Sequence, residues 1–152
     1  MLRLHSGVTA DTRPSEWTPV PGPAGRFPLA LVVEPDADSR ALLRLLLESG
    51  GLTVAECNEG ERVVDEIDRL RPDVIILEER LSHVDGRTAC RRLRSAAEDI
   101  RHTPVIFTTS SSSSSSARLA FEAGCTLYFI KPFDIQELMD AVTELVAAYR
   151  RR

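Results

Sequence analysis

No stretch of this chain carries the roughly 20 consecutive apolar residues needed to cross a bilayer. Its first residues include arginines but no continuous apolar segment, which argues against a secretory leader. An excess of positive charge is missing too. The net charge is -4, so bulk electrostatics offer no case for nucleic acid or an anionic membrane. Cysteine is scarce: Cys57, Cys90 and Cys125 are an odd number at wide spacing, which fits neither a disulfide framework nor a zinc ligand set. Reduced thiols in a cytoplasmic protein, packed as small apolar groups, are the expectation.

What is present fits one domain and a tail. The 152 residues leave little room for a second domain, and 43% hydrophobic with 28% charged residues is ordinary for a globular chain. Residues 1–28 hold five prolines, Pro14, Pro19, Pro21, Pro23 and Pro28, with Gly7, Gly22 and Gly25 among them. Such a segment has too few periodic apolar positions to offset chain entropy, so a disordered tail is expected there. Trp17 reads as a solvated tail residue or, less simply, as a docking anchor.

From Leu29 short apolar runs alternate with helical patterns five times. The strand candidates are 29–34, 52–56, 73–77, 104–109 and 126–130, and the first, third and fourth read as buried on both faces. Asp36 or Asp38 can cap a helix carrying Leu42, Leu43, Leu46 and Leu47, closed by Gly50-Gly51. Asn58 and Glu61 have capping-box spacing ahead of Val63, Val64, Ile67 and Leu70. Further stripes run through Ala89, Cys90 and Leu93, through Ala117, Ala120 and Phe121, and, after Asp134, through Leu138, Val142, Leu145 and Val146. Five βα units in about 120 residues imply an α/β fold, a parallel sheet with helices on both faces and right-handed crossovers.

In such folds ligands bind outside the carboxyl ends of the strands. That rule selects Glu34-Pro35-Asp36, Glu78-Glu79-Arg80, Thr108-Thr109-Ser110 and Lys131-Pro132. Carboxylates at the ends of neighbouring strands, about 4.8 Å apart, repel unless a cation intervenes, and Lys131 and Arg80 are the candidates. Acids, the Thr109 hydroxyl and a lysine around one pocket could hold Mg²⁺ and a phosphoryl group, or form a self-neutralised charge cluster.

The order of acid cluster, strand-end acid, Asp85-Gly86 turn, strand-end Thr109, Ala123-Gly124 and Lys131-Pro132-Phe133 resembles the receiver domains of bacterial response regulators. The spacing agrees, with 15 residues from Thr109 to Gly124 and 7 more to Lys131. The resemblance covers residues 29 to about 150 and implies a flavodoxin-like, doubly wound sheet in the order 2-1-3-4-5 with five helices. It matches Glu78 with the phosphoacceptor, Thr109 with the switch hydroxyl and Lys131 with the lysine that pairs with phosphate, before a cis proline. It matches Tyr128 with the aromatic residue that rotates inward on activation; a half-buried strand tyrosine with a wet hydroxyl is the plainer alternative.

The family pattern breaks at two points. Glu78 stands where the acceptor is an aspartate, which displaces the carboxylate by roughly 1.5 Å. Pro35 stands where a second acid ligates magnesium, with Asp36 the nearest substitute unless it serves as a helix cap. Arg80 brings positive charge to the position whose carbonyl ligates the metal in the family. Magnesium demands near-ideal octahedral oxygen geometry, so weak or absent Mg²⁺ binding is expected, with no other cofactor. Glutamate can also imitate a phosphorylated aspartate, so the resting state is expected to be active-like or inert.

With only Arg150-Arg151-Arg152 after the last helical stripe, a stand-alone, atypical receiver without an output domain is expected, acting by protein contact and not as an enzyme. The implied partners are signalling proteins, a histidine kinase or a downstream effector, met on the face of helix four, strand five and helix five. Arg118, Glu122, Tyr128, Gln136, Asp140 and Glu144 would lie on that face, and truncating Tyr128 would leave the melting temperature nearly unchanged. A Mg²⁺-dependent phosphorylatable regulator is the alternative. A flavodoxin-like cofactor protein is disfavoured because Glu34 and Asp36 occupy the place where a flavin phosphate needs donors. The serine run Ser110 to Ser116 is expected to form a mobile loop and the first turn of helix four.

Overall fold

A computed structural model describes residues 25–152. Five strands, β1 (Leu29–Val33), β2 (Thr53–Cys57), β3 (Val74–Glu78), β4 (Val105–Thr109) and β5 (Leu127–Ile130), form one sheet. All pairings are parallel and the order is β2-β1-β3-β4-β5. Five helices alternate with them: α1 (Ala37–Ser49), α2 (Val63–Leu70), α3 (Gly86–Arg94), α4 (Ser114–Glu122) and α5 (Ile135–Arg150).

The two-residue alternation of the strands builds two cores. Leu31, Val33, Ile75, Leu77, Val105 and Phe107 point to the side covered by α2, α3 and α4. Ala30, Val32, Val74, Ile76 and Ile106 point to the side covered by α1 and α5. Every residue of β3 and β4 is buried, as central parallel strands require. Truncating one of these large aliphatic side chains to alanine would destabilise the fold by about 2–5 kcal/mol. Cys90 and Cys125 are packed inside, and burial pushes the Cys125 thiol up to about 12.

Local chemistry sets most boundaries. Asp36, Asp85, Ser113 and Asp134 each accept a hydrogen bond from the backbone three residues on and start α1, α3, α4 and α5. Helix α2 departs from expectation, because Asn58 and Glu61 form no capping box. A 3-10 turn, Gly60–Arg62, leads into it instead, and Arg62 at the cap makes no side-chain capping bond. A side chain at Gly60 would lie 2.3 Å from the Val84 carbonyl oxygen, so this close approach fixes the entry to α2. The serine run closes on itself. Ser113 caps Ser116, the hydroxyls of Ser111 and Ser116 lie 3.1 Å apart, and those of Ser113 and Ser115 2.6 Å apart.

Residues 1–24 of the expected tail, with Trp17, lie outside the described residues. Its last residues are fastened to the fold: Arg26 pairs with buried Asp73, and the Pro28 carbonyl accepts from Thr53. Among the described residues no helix is long and apolar enough to cross a membrane.

Candidate functional site

Strand register places the site. Val33 is paired with Leu77, so the next residues, Glu34 and Glu78, leave the sheet side by side. Thr109 is paired with Ile130, so Lys131 emerges next at the same edge. Its ammonium reaches across β4 and donates to both acids, to Glu34 Oε2 at 2.9 Å and Glu78 Oε2 at 2.7 Å. Lys131 is the single lysine of the chain. Burial, the largest influence on it, lowers its pKa, but its bonds to Glu34 and Glu78 outweigh that and hold it above the ordinary lysine value.

The two glutamates are bound alike. The other oxygen of each turns back onto its own chain and accepts a backbone N–H two residues on, from Asp36 at 3.0 Å and from Arg80 at 3.0 Å. A glutamate side chain is long enough to close this ring and still meet the lysine. Both carboxylates are buried, and each therefore has both oxygens engaged.

Two of the expected contributions need correction. Arg80 joins the site through its backbone N–H. Its side chain is exposed and makes no ion pair among the described residues, since Lys131 already serves both acids. Asp36 does not put its carboxylate into the pocket: it caps α1 by accepting from Ser39 N at 2.8 Å. That bond holds its pKa below the ordinary carboxylate value. The Lys131–Pro132 bond is cis, as expected.

Consecutive residues of a strand face opposite ways, so Glu79 leaves on the other side of the sheet from Glu78. There it is buried and accepts from the Tyr128 hydroxyl at 3.1 Å, while Arg87 of α3 approaches its second oxygen at 3.8 Å. The Thr109 hydroxyl also lies within hydrogen-bonding reach of the phenol, and it accepts from Ser111 N at 3.1 Å. Tyr128 is only 1% exposed, with its ring 6.4 Å from Phe121 of α4. Burial first, and then the charge of Glu79, push its phenol up to about 12. The wet, half-buried tyrosine is overturned, and so is the expectation that truncating it would leave stability unchanged. Glu79 is selected in the sequence with its strand-end cluster but given no role there, although strand alternation from Ile75 and Leu77 points it toward Thr109 and Tyr128.

These residues test the fit of magnesium. Pro35 offers no side-chain oxygen, Asp36 is committed to its helix, and an ammonium occupies the space between the two remaining acids. A hard cation seeking octahedral oxygens would have to displace Lys131 and open both backbone rings, so the donor set fits Mg²⁺ poorly. No group of three or more His, Cys, Asp or Glu among the described residues is arranged to hold a metal.

A doubly wound sheet with two acids, a hydroxyl and a lysine at its carboxyl edge is the architecture of a signalling receiver. The family model for the response regulator receiver domain matches residues 30–143, and the chain belongs to that family. It is 32% identical over 116 residues to response regulator MprA of Mycobacterium leprae, covering 76% of this chain and 50% of that protein. The chain thus spans about half the length of the relatives it matches. Among solved structures it is similar to a response regulator of Chloroflexus aurantiacus, with TM-score 0.73 and 31% identity over 78% of this chain and 97% of that one. It is also similar to the receiver domain of sensor histidine kinase PA1611 of Pseudomonas aeruginosa, which holds a magnesium ion in its active-site cleft. There the TM-score is 0.73 and the identity 28%, over 79% of this chain and 98% of that one. The chain is a receiver of two-component signalling.

Proposed function

We propose that this receiver is atypical: it signals by protein contact, without metal-dependent phosphorylation of its acceptor position, and has no catalytic activity of its own. The observation that supports this reading is the Lys131 ammonium shared between Glu34 and Glu78. With that cation in place the charge of the two acids is partly offset from within, and the two oxygens of Glu78 are taken by Lys131 and by the Arg80 N–H. Phosphoryl transfer depends on positioning and charge, and both are altered here. Mg²⁺ binding is accordingly weak or absent.

The partner is a signalling protein, a histidine kinase or a downstream effector, met on α4, β5 and α5. Arg118, Glu122, Gln136, Asp140 and Glu144 are exposed there. Arg118 and Glu122 pair along α4, and Gln136 and Asp140 along α5, both four residues apart and at 2.8 Å. Incubation with acetyl phosphate and Mg²⁺, read by intact-mass spectrometry, tests the reading. The expected result is an unmodified chain. A stoichiometric adduct that disappears in Glu78→Gln would overturn the proposal in favour of a working phospho-switch.

A further inference from the structure

We propose that Glu79 is a positioning residue that holds Tyr128 inside the fold, so that the α4–β5–α5 face is set by an internal carboxylate and not by chemistry at Glu78. This deepens the preceding reading by naming what fixes the contact face. A phenol hydroxyl buried without an acceptor is destabilising, and a tyrosine on an edge strand can relieve this by rotating toward water. Tyr128 does not rotate out because the Glu79 carboxylate waits at the inner end of its path, 3.1 Å from the hydroxyl.

Glu79 is itself held from two sides. Its side chain is nearly as buried as the phenol, and Arg87 of α3 supplies the nearest opposite charge at 3.8 Å. The Thr109 hydroxyl, an acceptor for Ser111 N, is a neutral group, so the charged carboxylate is the stronger partner for the phenol proton. The ring, so placed, packs against Phe121 of α4 and fills the space between β5 and that helix. One carboxylate therefore links the β3–α3 loop, α3, β5 and α4. If Tyr128 left, Phe121 would lose its neighbour and the start of the contact face would repack.

Hydroxyl-radical footprinting of the full chain, mapped by peptide mass spectrometry, reads the exposure of Tyr128 without depending on its ionisation. Tyr149, half-buried on α5, is the other tyrosine and serves as internal reference. In Glu79→Leu the acceptor is gone, and Tyr128 should oxidise about tenfold faster relative to Tyr149, the equivalent of losing one charge-assisted hydrogen bond. In Glu79→Gln the amide oxygen still accepts, so protection should stay within about twofold of the parent. Protection undiminished in Glu79→Leu would overturn the proposal, as would exposure in Glu79→Gln matching that of the leucine variant. Should the leucine variant fail to fold, Glu79→Ala, which also lacks an acceptor, takes its place and is read against the same outcomes. Neither readout involves phosphate or a partner, so a phosphorylatable Glu78 would sink the preceding reading and leave this result standing.

Discussion

Gly86 lies so close to Glu78 that a Cβ at position 86 would come within 2.7 Å of the Glu78 carbonyl oxygen. The Gly86 amide also donates to the Glu79 carbonyl at 2.9 Å, so the loop from β3 folds back tightly before α3 begins. Gly86→Ala must push that backbone apart. It should destabilise the fold by about 1–3 kcal/mol in urea unfolding, as overpacking does. Because the displaced atoms belong to Glu78 and Glu79, it should also raise the oxidation of Tyr128 in footprinting.

Removing the shared cation leaves two buried carboxylates facing each other. Lys131→Met should lower stability by about 3 kcal/mol, the usual range for breaking one side of a buried ion pair. Adding Glu34→Gln and Glu78→Gln to that variant should recover most of the loss, since the three groups act as one unit. Chemical denaturation of the single and triple variants checks this, and equal stability of the two would disprove the coupling.

The site also predicts what a return to aspartate achieves. Glu78→Asp alone should not produce Mg²⁺ binding detectable by calorimetry, because Pro35 still lacks an oxygen. Adding Pro35→Asp supplies the missing acid, and only the double variant should titrate. Binding by the single variant would mean that Asp36 leaves its helix cap and turns inward.

Alkaline pH should weaken the fold through two groups. Tyr128 is raised from 10.0 to about 12, and Lys131 is raised above 10.5. A raised pKa contributes stability that is complete below the unfolded value and is lost as pH climbs through the folded one. For the phenol the loss falls between about pH 10 and 12. A melting-temperature series over that range should drop less steeply in Tyr128→Phe, which removes the phenol's ionisation.

Side chains on the outer face should separate contact from stability. Arg118→Glu disrupts one exposed pair on α4 and should change unfolding free energy by less than about 1 kcal/mol. Tyr128→Ala removes a fully buried ring and should cost about 3–5 kcal/mol. Thermal melts of the two variants distinguish them directly.

Much of this was legible because the buried strands are so plain. The runs at 29–34, 73–77 and 104–109 have few alternatives, and the edge strands were placed within a residue or so of β2 and β5. The Glu34, Thr109 and Lys131 positions followed from strand ends alone. Three features were not legible in the same way. Whether Asp36 points into the pocket or caps α1 depends on competition for one carboxylate, which Ser39 N decides. Arg80 was assigned by charge, but the backbone ring at Glu78 uses its amide and leaves the guanidinium outside. The Tyr128 hydroxyl is bonded to Glu79, a partner 49 positions earlier that periodicity could point toward but not pair.

Glu78 and Glu79 are joined by one peptide bond yet serve opposite sides of a sheet. The carboxylate of the first meets Lys131 and the Arg80 amide, and the carboxylate of the second meets the Tyr128 hydroxyl and faces Arg87 of α3. The pair works like a hinge pin shared by two doors. Substitutions that dismantle the charged side need not pass any strain to the aromatic side, so a receiver of this design can lose one form of control and keep its outward shape.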